Sequence, residues 1–458
     1  MPTTTADVQT DVIEIRDPAS GDRVGSVAMA GQDEIDAALA YAHRAQPGWA
    51  RTPAAERGVL LHTAAERLRA HADELASLNE SETGRPRDEA REGVLAGAGT
   101  LDQYAELGPV HRGRSLLGDF AATDLMVPEP RGVVVALTPW NDPVAVACGL
   151  LGAAAVTGNT VVHKPSERAP HTGALLGDVL AGVYPAGVVQ TLQGDGRVGA
   201  LLAVRDDVDV LAHVGGSATG RSIAASAAAT GAKALLENGG NDPLVVDADV
   251  DPEWAAGQAA LGAFANSGQI CVAVERIYVH QAVAERFLAA LTEQARSRRL
   301  APLADVRHRA HVHSHVENAV QRGARLLTGG EIPAGPGAHY PATVLTGCWG
   351  ELRVMREETF GPVAPVQVVD TFEEGLAEAG SDSHGLAATV LTASMAHAQH
   401  AWRELPAGTV KVNAVFGGAP GGAAQPRRRS GNGYGYGPEL LDEMTQTKVV
   451  HLGLPETA

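Results

Sequence analysis

Apolar residues recur at helical spacing through the early part of the chain. Between about Asp33 and Leu107 they stand three or four positions apart within Ala- and Glu-rich stretches, as at Leu61, Ala64 and Leu68. This period matches one face of an amphipathic α-helix. The pattern predicts a layer of helices.

From Arg131 onward the pattern changes to short β-branched runs separated by Ala-rich helical stretches. The runs lie at 133–137, 160–162, 188–192 and 208–211. Strands that are apolar throughout and alternate with helices are typical of a parallel sheet covered on both faces. The pattern predicts a doubly wound, dinucleotide-binding domain.

The alternation restarts after Gly240. An apolar run at 243–246 is followed by a helix at 255–264 and a strand at 276–279. These segments predict a second α/β domain beyond the first sheet.

A stretch rich in histidine and arginine covers 301–315, and we expect a surface linker there that leads into a helix at 315–323. Its histidines lack paired acidic or thiol ligands, so no metal site is expected. The histidines are His308, His311, His313 and His315.

Length and composition describe a folded protein of two or three domains. The chain has 458 residues, and single cores stop growing near about 250–300 residues. Its 45% apolar and 20% charged residues are ordinary globular values. No apolar run reaches the roughly 18 residues of a membrane helix, and the first segment lacks the regions of a signal peptide. We therefore expect a cytoplasmic protein that does not enter a membrane.

Charge and cysteine usage exclude further classes. A net charge of −18 disfavours nucleic acid, because phosphate backbones require clustered Lys and Arg. Cys148, Cys271 and Cys348 are widely spaced and odd in number, which supports neither a disulfide framework nor a structural zinc site. A reducing compartment fits this usage, and the basic run at 427–429 is expected to be a solvated loop.

Three polar residues stand where chemistry is plausible. Cys271 follows a Gly-containing turn after an apolar helix, in the segment FANSGQIC at 264–271. Glu237 lies at the edge of an apolar segment, where a raised pKa would suit a general base. Asn141 follows a buried strand in a Pro-bounded turn and can direct its amide at developing negative charge. Each alone is more often structural, since isolated cysteines are usually buried and turn asparagines usually shape the turn.

Six segments in order resemble those of the aldehyde dehydrogenase superfamily, and the resemblance covers nearly the whole chain. They are PWN at 139–141, GNTVVHKPSE at 158–167, ENGG at 237–240, FANSGQIC at 264–271, EETFGPV at 357–363 and SGNG at 430–433. Each motif alone is weak to moderate evidence. Their shared order leaves little room for coincidence.

The resemblance implies an NAD(P)-dependent oxidation of an aldehyde. Cys271 would be the nucleophile, Asn141 and the Cys271 backbone N–H would hold the oxyanion, and Glu237 would activate the water that hydrolyses the thioester. Lys164 and Glu167 match positions at the adenosine ribose, and the Glu167 carboxylate favours NAD over NADP because it repels a ribose phosphate. Ser217 matches a position at the pyrophosphate; Glu358 and Phe360 match positions around the nicotinamide ribose. The expected cofactor-binding residues are Thr138, Pro139, Trp140, Lys164, Ser166, Glu167, Gly196, Gly216, Ser217, Asn238, Gly239, Glu358 and Phe360.

A literal G-x-G-x-x-G at 194–199 competes for the phosphate-binding role, since it follows a strand and precedes a helix. The resemblance instead places the phosphates at 216–220, at the start of the following helix, where free N–H groups favour an anion. Gly194 and Gly196 are then expected near the adenine.

The helix after Asn141 carries small residues that can line one side of the channel to Cys271. They are Ala145, Val146, Cys148 and Gly149. Small side chains leave room for a bulky or aromatic aldehyde, although close packing against the sheet is nearly as good an explanation. The expected channel residues are Asp142, Val146, Gly149, Ile270, Val272 and Phe416. Asp142, where relatives often have Phe, is equally explained as a helix N-cap.

The resemblance implies a Rossmann-like cofactor domain, a second α/β catalytic domain and a small β oligomerisation element. The expected ranges are 1–107 with 128–238, then 239–425, and lastly 108–127 with 426–458. Val110–Met126 could form an exchanged strand pair with Lys448–Leu452, so a homodimer and a homotetramer are both open.

Some segments depart from the family pattern. Asn238 and Asn241 replace an apolar residue and a Lys, and the family's F-T-G-S is VGGS at 214–217. The connection at 301–306 is shortened, and the segment at 423–428, which in the family lies near the subunit contact and the active-site entrance, is replaced. A CoA-acylating relative and a catalytically silent scaffold are the alternatives; Glu237 disfavours the first, and retention of all three chemical residues disfavours the second.

Overall fold

The computed structural model describes residues 11–418 and 422–455. Its helices are α1 (Gln32–Arg51), α2 (Ala54–Ala70), α3 (Ala72–Thr83), α4 (Arg87–Leu107), α5 (Pro143–Val156), α6 (Pro170–Ala181), α7 (Gly196–Ala203), α8 (Ser217–Thr230), α9 (Pro252–Phe264), α10 (Gln281–Ser297), α11 (Val306–Gln321), α12 (Arg353–Arg356), α13 (Phe372–Gly380), α14 (Met395–Glu404) and α15 (Glu439–Glu443). The helical layer expected between residues 33 and 107 is present as α1 to α4.

The strands fall into four sheets. They are β1 (Val12–Arg16), β2 (Arg23–Ala28), β3 (Arg114–Leu116), β4 (Thr123–Pro130), β5 (Val133–Leu137), β6 (Thr160–Lys164), β7 (Val189–Thr191), β8 (Val210–Gly215), β9 (Lys233–Asn238), β10 (Asp242–Val246), β11 (Val274–His280), β12 (Arg325–Thr328), β13 (Thr343–Thr346), β14 (Val363–Val369), β15 (Ala387–Leu391), β16 (Thr409–Val412), β17 (Gly431–Asn432) and β18 (Thr445–Leu452).

Two of the sheets are mainly parallel and carry helices on both faces. The first has the order β17-β9-β8-β5-β6-β7, and the second has the order β12-β13-β14-β11-β10-β15-β16. In each, one edge strand, β17 or β12, is antiparallel to its neighbour. The α/β prediction is confirmed, and the buried strands explain why their sequences are apolar throughout.

Helix α5 is packed between the first sheet and α4. Gly97 of α4 lies against Cys148, because a Cβ at that glycine would stand 3.1 Å from the Cys148 sulfur. Cys148 is fully buried. Its expected place beside the substrate channel is therefore wrong: the side chain fills the contact between two helices.

The segment at 301–315 is not a linker. Helix α11 begins at Val306, and the Asp305 carboxylate caps it by accepting a 2.7 Å hydrogen bond from the His308 backbone N–H. Val312 and Val316 are buried at helical spacing. The polar composition hid the helix, although Asp305 is a regular N-cap signal.

Strand β18 pairs antiparallel with β4 along its whole length, and β4 pairs with β3. Lys448 stands opposite Val127, and Leu452 stands opposite Thr123. The two segments do pair as predicted, but within one chain rather than by exchange. Among the described helices, none is long and apolar enough to cross a membrane.

Candidate active site

A left-handed turn presents Cys271. After α9 ends at Phe264, the backbone φ angles of Asn266, Ser267 and Gly268 are 45°, 55° and 74°. Left-handed conformations are costly for residues with a Cβ, so a run of them needs support from the surroundings. The Ser267 hydroxyl supplies part of it by donating a 2.7 Å hydrogen bond to the Ala301 carbonyl.

Gln269, the residue after this left-handed turn, is held by hydrogen bonds to its side chain and to its backbone carbonyl. The Gln269 side-chain oxygen accepts a 2.9 Å hydrogen bond from the Ala304 N–H. The Asn141 amide donates a 3.1 Å hydrogen bond to the Gln269 carbonyl, and the Asn266 amide donates to the same oxygen at 3.2 Å. The predicted oxyanion donor is therefore bound directly to the loop that carries Cys271.

Arg85 fixes the turn that contains Asn141. Its guanidinium lies 2.8 Å from the Asp142 carboxylate and donates a 3.2 Å hydrogen bond to the Asn141 carbonyl. Gly93 of α4 makes room for the pair, since a Cβ there would stand 2.6 Å from the Asp142 carboxylate. Asp142 occupies the N-cap position of α5 but makes no side-chain capping bond. Its carboxylate is an ion-pair partner instead.

The environment of Cys271 favours the neutral thiol. Burial raises the pKa of Cys271, and the nearby carboxylates of Glu237, Asp242 and Glu358 raise it further, while the Val272 N–H opposes them. Burial also raises the pKa of Glu237, which stands near the end of β9. A carboxylate with a raised pKa beside a thiol is a suitable general base.

The backbone of Gly435 covers the Glu237 carboxylate. A Cβ at Gly435 would collide with a carboxylate oxygen of Glu237. The adjoining strand β17 pairs Gly431 with Glu237 in antiparallel register. The C-terminal segment therefore forms one wall of the pocket around the expected base.

A buried carboxylate shapes the segment that contains Glu358 and Phe360. Glu275 accepts hydrogen bonds from the Thr359 N–H at 3.0 Å and the Phe360 N–H at 2.9 Å. Burial raises the pKa of Glu275 to about 7 in spite of these donors. Phe360 adopts a φ of 52°, and its ring packs edge-on against Trp140 with centroids 5.6 Å apart.

Glu358 bridges the two parts of the site. One oxygen accepts a 3.1 Å hydrogen bond from the Gly240 N–H, next to Gly239. Burial, with the charges of Glu275 and Asp242, raises the pKa of Glu358 to about 8, so the side chain is largely protonated near pH 7. The Asn238 side chain does not bond to Glu358; its amide donates a 3.0 Å hydrogen bond to the Arg429 carbonyl.

A cleft of about 670 Å³ lies at the carboxyl edge of the first sheet, between the strands and helices α7 and α8. Its lining contains these expected cofactor residues: Thr138, Pro139, Trp140, Lys164, Ser166, Glu167, Gly196 and Gly216. The space around Gly196 and Gly216 is open, with no atom within 4 Å of a Cβ placed there. Ser217 begins α8, and its hydroxyl is buried without a partner.

These features fit a dinucleotide. The N-terminus of α8 offers free N–H groups to an anion, and the unpartnered Ser217 hydroxyl supplies a further donor. The Lys164 ammonium donates to the Pro165 carbonyl at 2.6 Å and to the Gly194 carbonyl at 2.8 Å. The first glycine of the G-x-G-x-x-G segment thus anchors Lys164, and Gly196 lines the cleft.

Four of the expected channel residues are half-buried, namely Val146, Ile270, Val272 and Phe416. Gly149 faces Tyr436, because a Cβ there would lie 3.9 Å from the Tyr436 ring and meet nothing nearer. The Tyr436 hydroxyl in turn donates a 3.2 Å hydrogen bond to the Gln103 side chain.

Sequence reasoning missed several residues around the site. His308 stacks edge-on with Trp140 at 5.8 Å, and its ring nitrogen lies 2.7 Å from the Phe360 carbonyl. His213 lines the cleft, and Arg85 holds the Asn141 turn. In the sequence, only the Asp305 cap indicates the helix that carries His308. No local pattern marks His213 or Arg85 as residues of the site.

A nucleotide-sized cleft at the carboxyl edge of a mainly parallel sheet is where α/β folds of this kind bind dinucleotides. The model of the aldehyde dehydrogenase family matches residues 4–450. The chain therefore belongs to that family and is an oxidoreductase of aldehydes that uses NAD(P).

Individual relatives agree over nearly the full length. A betaine aldehyde dehydrogenase of Cereibacter sphaeroides is 36% identical over 460 residues, covering 95% of this chain and 93% of the relative. The structure of PnpE in complex with nicotinamide adenine dinucleotide has a TM-score of 0.94 at 30% identity, covering 98% of this chain and 95% of that one. An Escherichia coli NADP-dependent enzyme also has a TM-score of 0.94 at 30% identity, covering 97% and 95%.

We expect Gly268→Ala to lower the free energy of unfolding by about 2–4 kcal/mol, because φ is 74° and the new Cβ would collide with the Gly361 carbonyl. Urea denaturation measures the change. Gly257→Ala in α9 is the control: nothing lies within 4 Å of its Cβ position, so it should stabilise the protein by up to about 1 kcal/mol. Equal stability of Gly268→Ala and the wild type would contradict a constrained turn.

Proposed function

We propose that the chain oxidises an aldehyde to the carboxylic acid through a thiohemiacetal and then a thioester on Cys271, which water activated by Glu237 hydrolyses. The observation that carries this proposal is the shared environment of three groups. The Glu237 carboxylate is close enough to raise the pKa of the Cys271 thiol, and Asn141 is bonded to the carbonyl of Gln269.

Glu237 can serve both chemical steps. Before addition, it can take the proton of the neutral thiol, which makes the sulfur nucleophilic. The aldehyde oxygen then becomes an oxyanion, and the Asn141 amide with the Cys271 backbone N–H can stabilise it. After oxidation, and once Glu237 has passed the first proton to solvent, its carboxylate takes a proton from water. The hydroxide attacks the thioester carbonyl, and the Cys271 thiolate leaves as the carboxylic acid is released.

The cofactor is held in the cleft of the first sheet by the expected residues. Lys164 and Glu167 would bind the adenosine ribose, the N-terminus of α8 with Ser217 would bind the pyrophosphate, and Glu358 with Phe360 would hold the nicotinamide ribose. When bound, NAD accepts the hydride lost as the thiohemiacetal becomes a thioester. Trp140 of the cleft and Phe360 pack edge-on against each other beside this region.

We expect Cys271→Ala to abolish NADH formation while NAD affinity stays within a few-fold, because the sulfur is needed for the covalent steps only. Activity is followed by NADH absorbance and NAD affinity by calorimetry. Cys148→Ala and Cys348→Ala are matched controls, since both thiols are buried away from the site and should leave the enzyme active. Full turnover by Cys271→Ala would overturn the mechanism.

We expect Glu237→Gln to give a burst of about one NADH per active site and then a slow steady state. Glu237→Gln removes the base of both steps, but it also removes a charge that raises the pKa of Cys271. Loss of that charge eases ionisation of the thiol to solvent, whereas hydrolysis of the thioester has no such compensation. Rapid mixing with NAD and an aldehyde shows the burst. An unchanged steady-state rate would mean that another group is the base, and acceleration by CoA would favour the acylating alternative.

We propose that NAD is preferred over NADP. Glu167 lines the cleft and its charge raises the pKa of Lys164 against the opposing effect of burial. A carboxylate at the ribose should disfavour an added phosphate by on the order of 1–3 kcal/mol. The ratio of kcat/KM for the two cofactors measures this, and Glu167→Gln should reduce the ratio. A wild-type preference for NADP would contradict the role of Glu167.

We propose a substrate channel with room for a bulky or aromatic aldehyde. Gly149 leaves space next to the Tyr436 ring. The Asp142 carboxylate is paired with Arg85, so it is not free to bind a cationic aldehyde. Gly149→Trp should lower kcat/KM for benzaldehyde far more than for propanal, with betaine aldehyde as a third substrate. A parallel loss for all three, or unfolding, would assign Gly149 to packing.

The small antiparallel sheet exposes apolar side chains. Leu117 and Phe120 are fully exposed between β3 and β4, and Val449 and Leu452 of β18 are also exposed. We propose that this sheet joins subunits into a homodimer or homotetramer of a cytoplasmic enzyme. Absence of NADH formation across an aldehyde panel would favour the scaffold reading.

A further inference from the structure

His213 stands in a row of residues across the first sheet. Leu137 of β5 is in register with His213 of β8 on one side and with Lys164 of β6 on the other. All three line the cleft. Neighbouring strands are about 4.8 Å apart, so His213 and Lys164 lie about 10 Å apart along the cleft floor.

Neither nitrogen of the His213 imidazole makes a hydrogen bond of acceptable geometry to the described residues, although the carbonyls of Gly216 and Leu137 lie nearby. The side chain is 8% exposed, and both ring nitrogens are buried. Buried polar groups without a partner are rare in folded proteins and require an explanation. A ligand that enters the cleft can supply the partner.

The ring is neutral near pH 7. Burial lowers the pKa of His213 to about 4; the nearby carbonyls of Gly216 and Leu137 oppose this shift, and the Lys164 charge adds to it. A neutral imidazole carries one N–H donor and one acceptor. Gly215 provides the space for the ring, because a Cβ there would stand 2.7 Å from a His213 ring carbon.

The position of the ring selects the part of the cofactor. Gly216 and Ser217, at the start of α8, come three and four positions after His213, and the Ser217 hydroxyl is also buried without a hydrogen-bond partner among the described residues. A helix N-terminus of this kind attracts phosphate. Because Gly216 and Ala218 line the same cleft as His213, the imidazole lies in the cleft into which this helix start opens.

We propose that His213 donates a hydrogen bond to the pyrophosphate of the bound dinucleotide, as a cofactor contact beyond those of the family's shared segments. This proposal rests on the proposed NAD site in the cleft. His213 holds the cofactor and takes no part in the covalent steps on Cys271.

Binding measurements with a series of ligands test the contact. Calorimetric titrations of the full-length wild type, His213→Leu and His213→Asn use NAD, ADP-ribose and adenosine. For His213→Leu we expect NAD and ADP-ribose to bind about tenfold more weakly, as for loss of one hydrogen bond to a charged group, and adenosine to bind unchanged. His213→Asn keeps a donor and should fall between.

Stability of the free enzyme separates this role from a packing role. Replacing an unpartnered buried imidazole by leucine removes a desolvated polar group, so unfolding of free His213→Leu should need at least as much urea as the wild type. The shift in Tm that NAD produces should nevertheless become smaller. His397→Leu is the control for the same chemical change, because His397 of α14 pairs with Asp247, the residue after β10, and does not line the cleft.

Each outcome has one meaning. Unchanged NAD affinity in both His213 variants would overturn the contact alone, and an equal loss for adenosine would assign His213 to packing. If His213→Leu fails to fold, the comparison of His213→Asn with the wild type decides. A wild-type enzyme that binds no dinucleotide would overturn the proposed function together with the contact.

Discussion

The arrangement of the site depends on the buried carboxylate of Glu275. Both of its oxygens accept backbone N–H groups, from Thr359 and Phe360, and so tie the strand after Cys271 to the segment that carries Glu358. Phe360 is held in a left-handed conformation that it would rarely adopt alone. Because a buried carboxylate left without partners is costly, each segment stabilises the position of the other.

Electrostatics at Cys271 favour the protonated thiol. Burial raises the pKa of Cys271, and three nearby carboxyl groups raise it further. Burial also raises the pKa of Glu237, and the pKa of Glu358 is raised by burial together with the charges of Glu275 and Asp242. In the mechanism we propose, the thiol proton must leave before the sulfur can add to the aldehyde.

The sequence reveals features whose signal is local or shared by the family. Strands such as β5 and β6 are recognisable because burial on both faces makes them apolar throughout, and ordered motifs locate Cys271 and Glu237. Contacts between segments that are distant in sequence have no local pattern. Arg85, for example, donates a hydrogen bond to the carbonyl of Asn141, which is 56 positions later. The sequence predicts only the second part of α11, from residue 315, because the first turns are rich in polar residues. Cys148 is ambiguous because a small residue suits a channel and a helix contact equally well.

The small antiparallel sheet has a consequence for how the protein is made. Lys448 of β18 bonds to Glu129 of β4, 319 positions earlier. At ordinary rates of synthesis the ribosome needs on the order of tens of seconds to cover that interval. During this time β4 has only the short β3 beside it, and an edge with unpaired N–H and C=O groups can recruit another chain. Among the described strands, β18 is synthesised after all the others, and it is the strand that closes this edge.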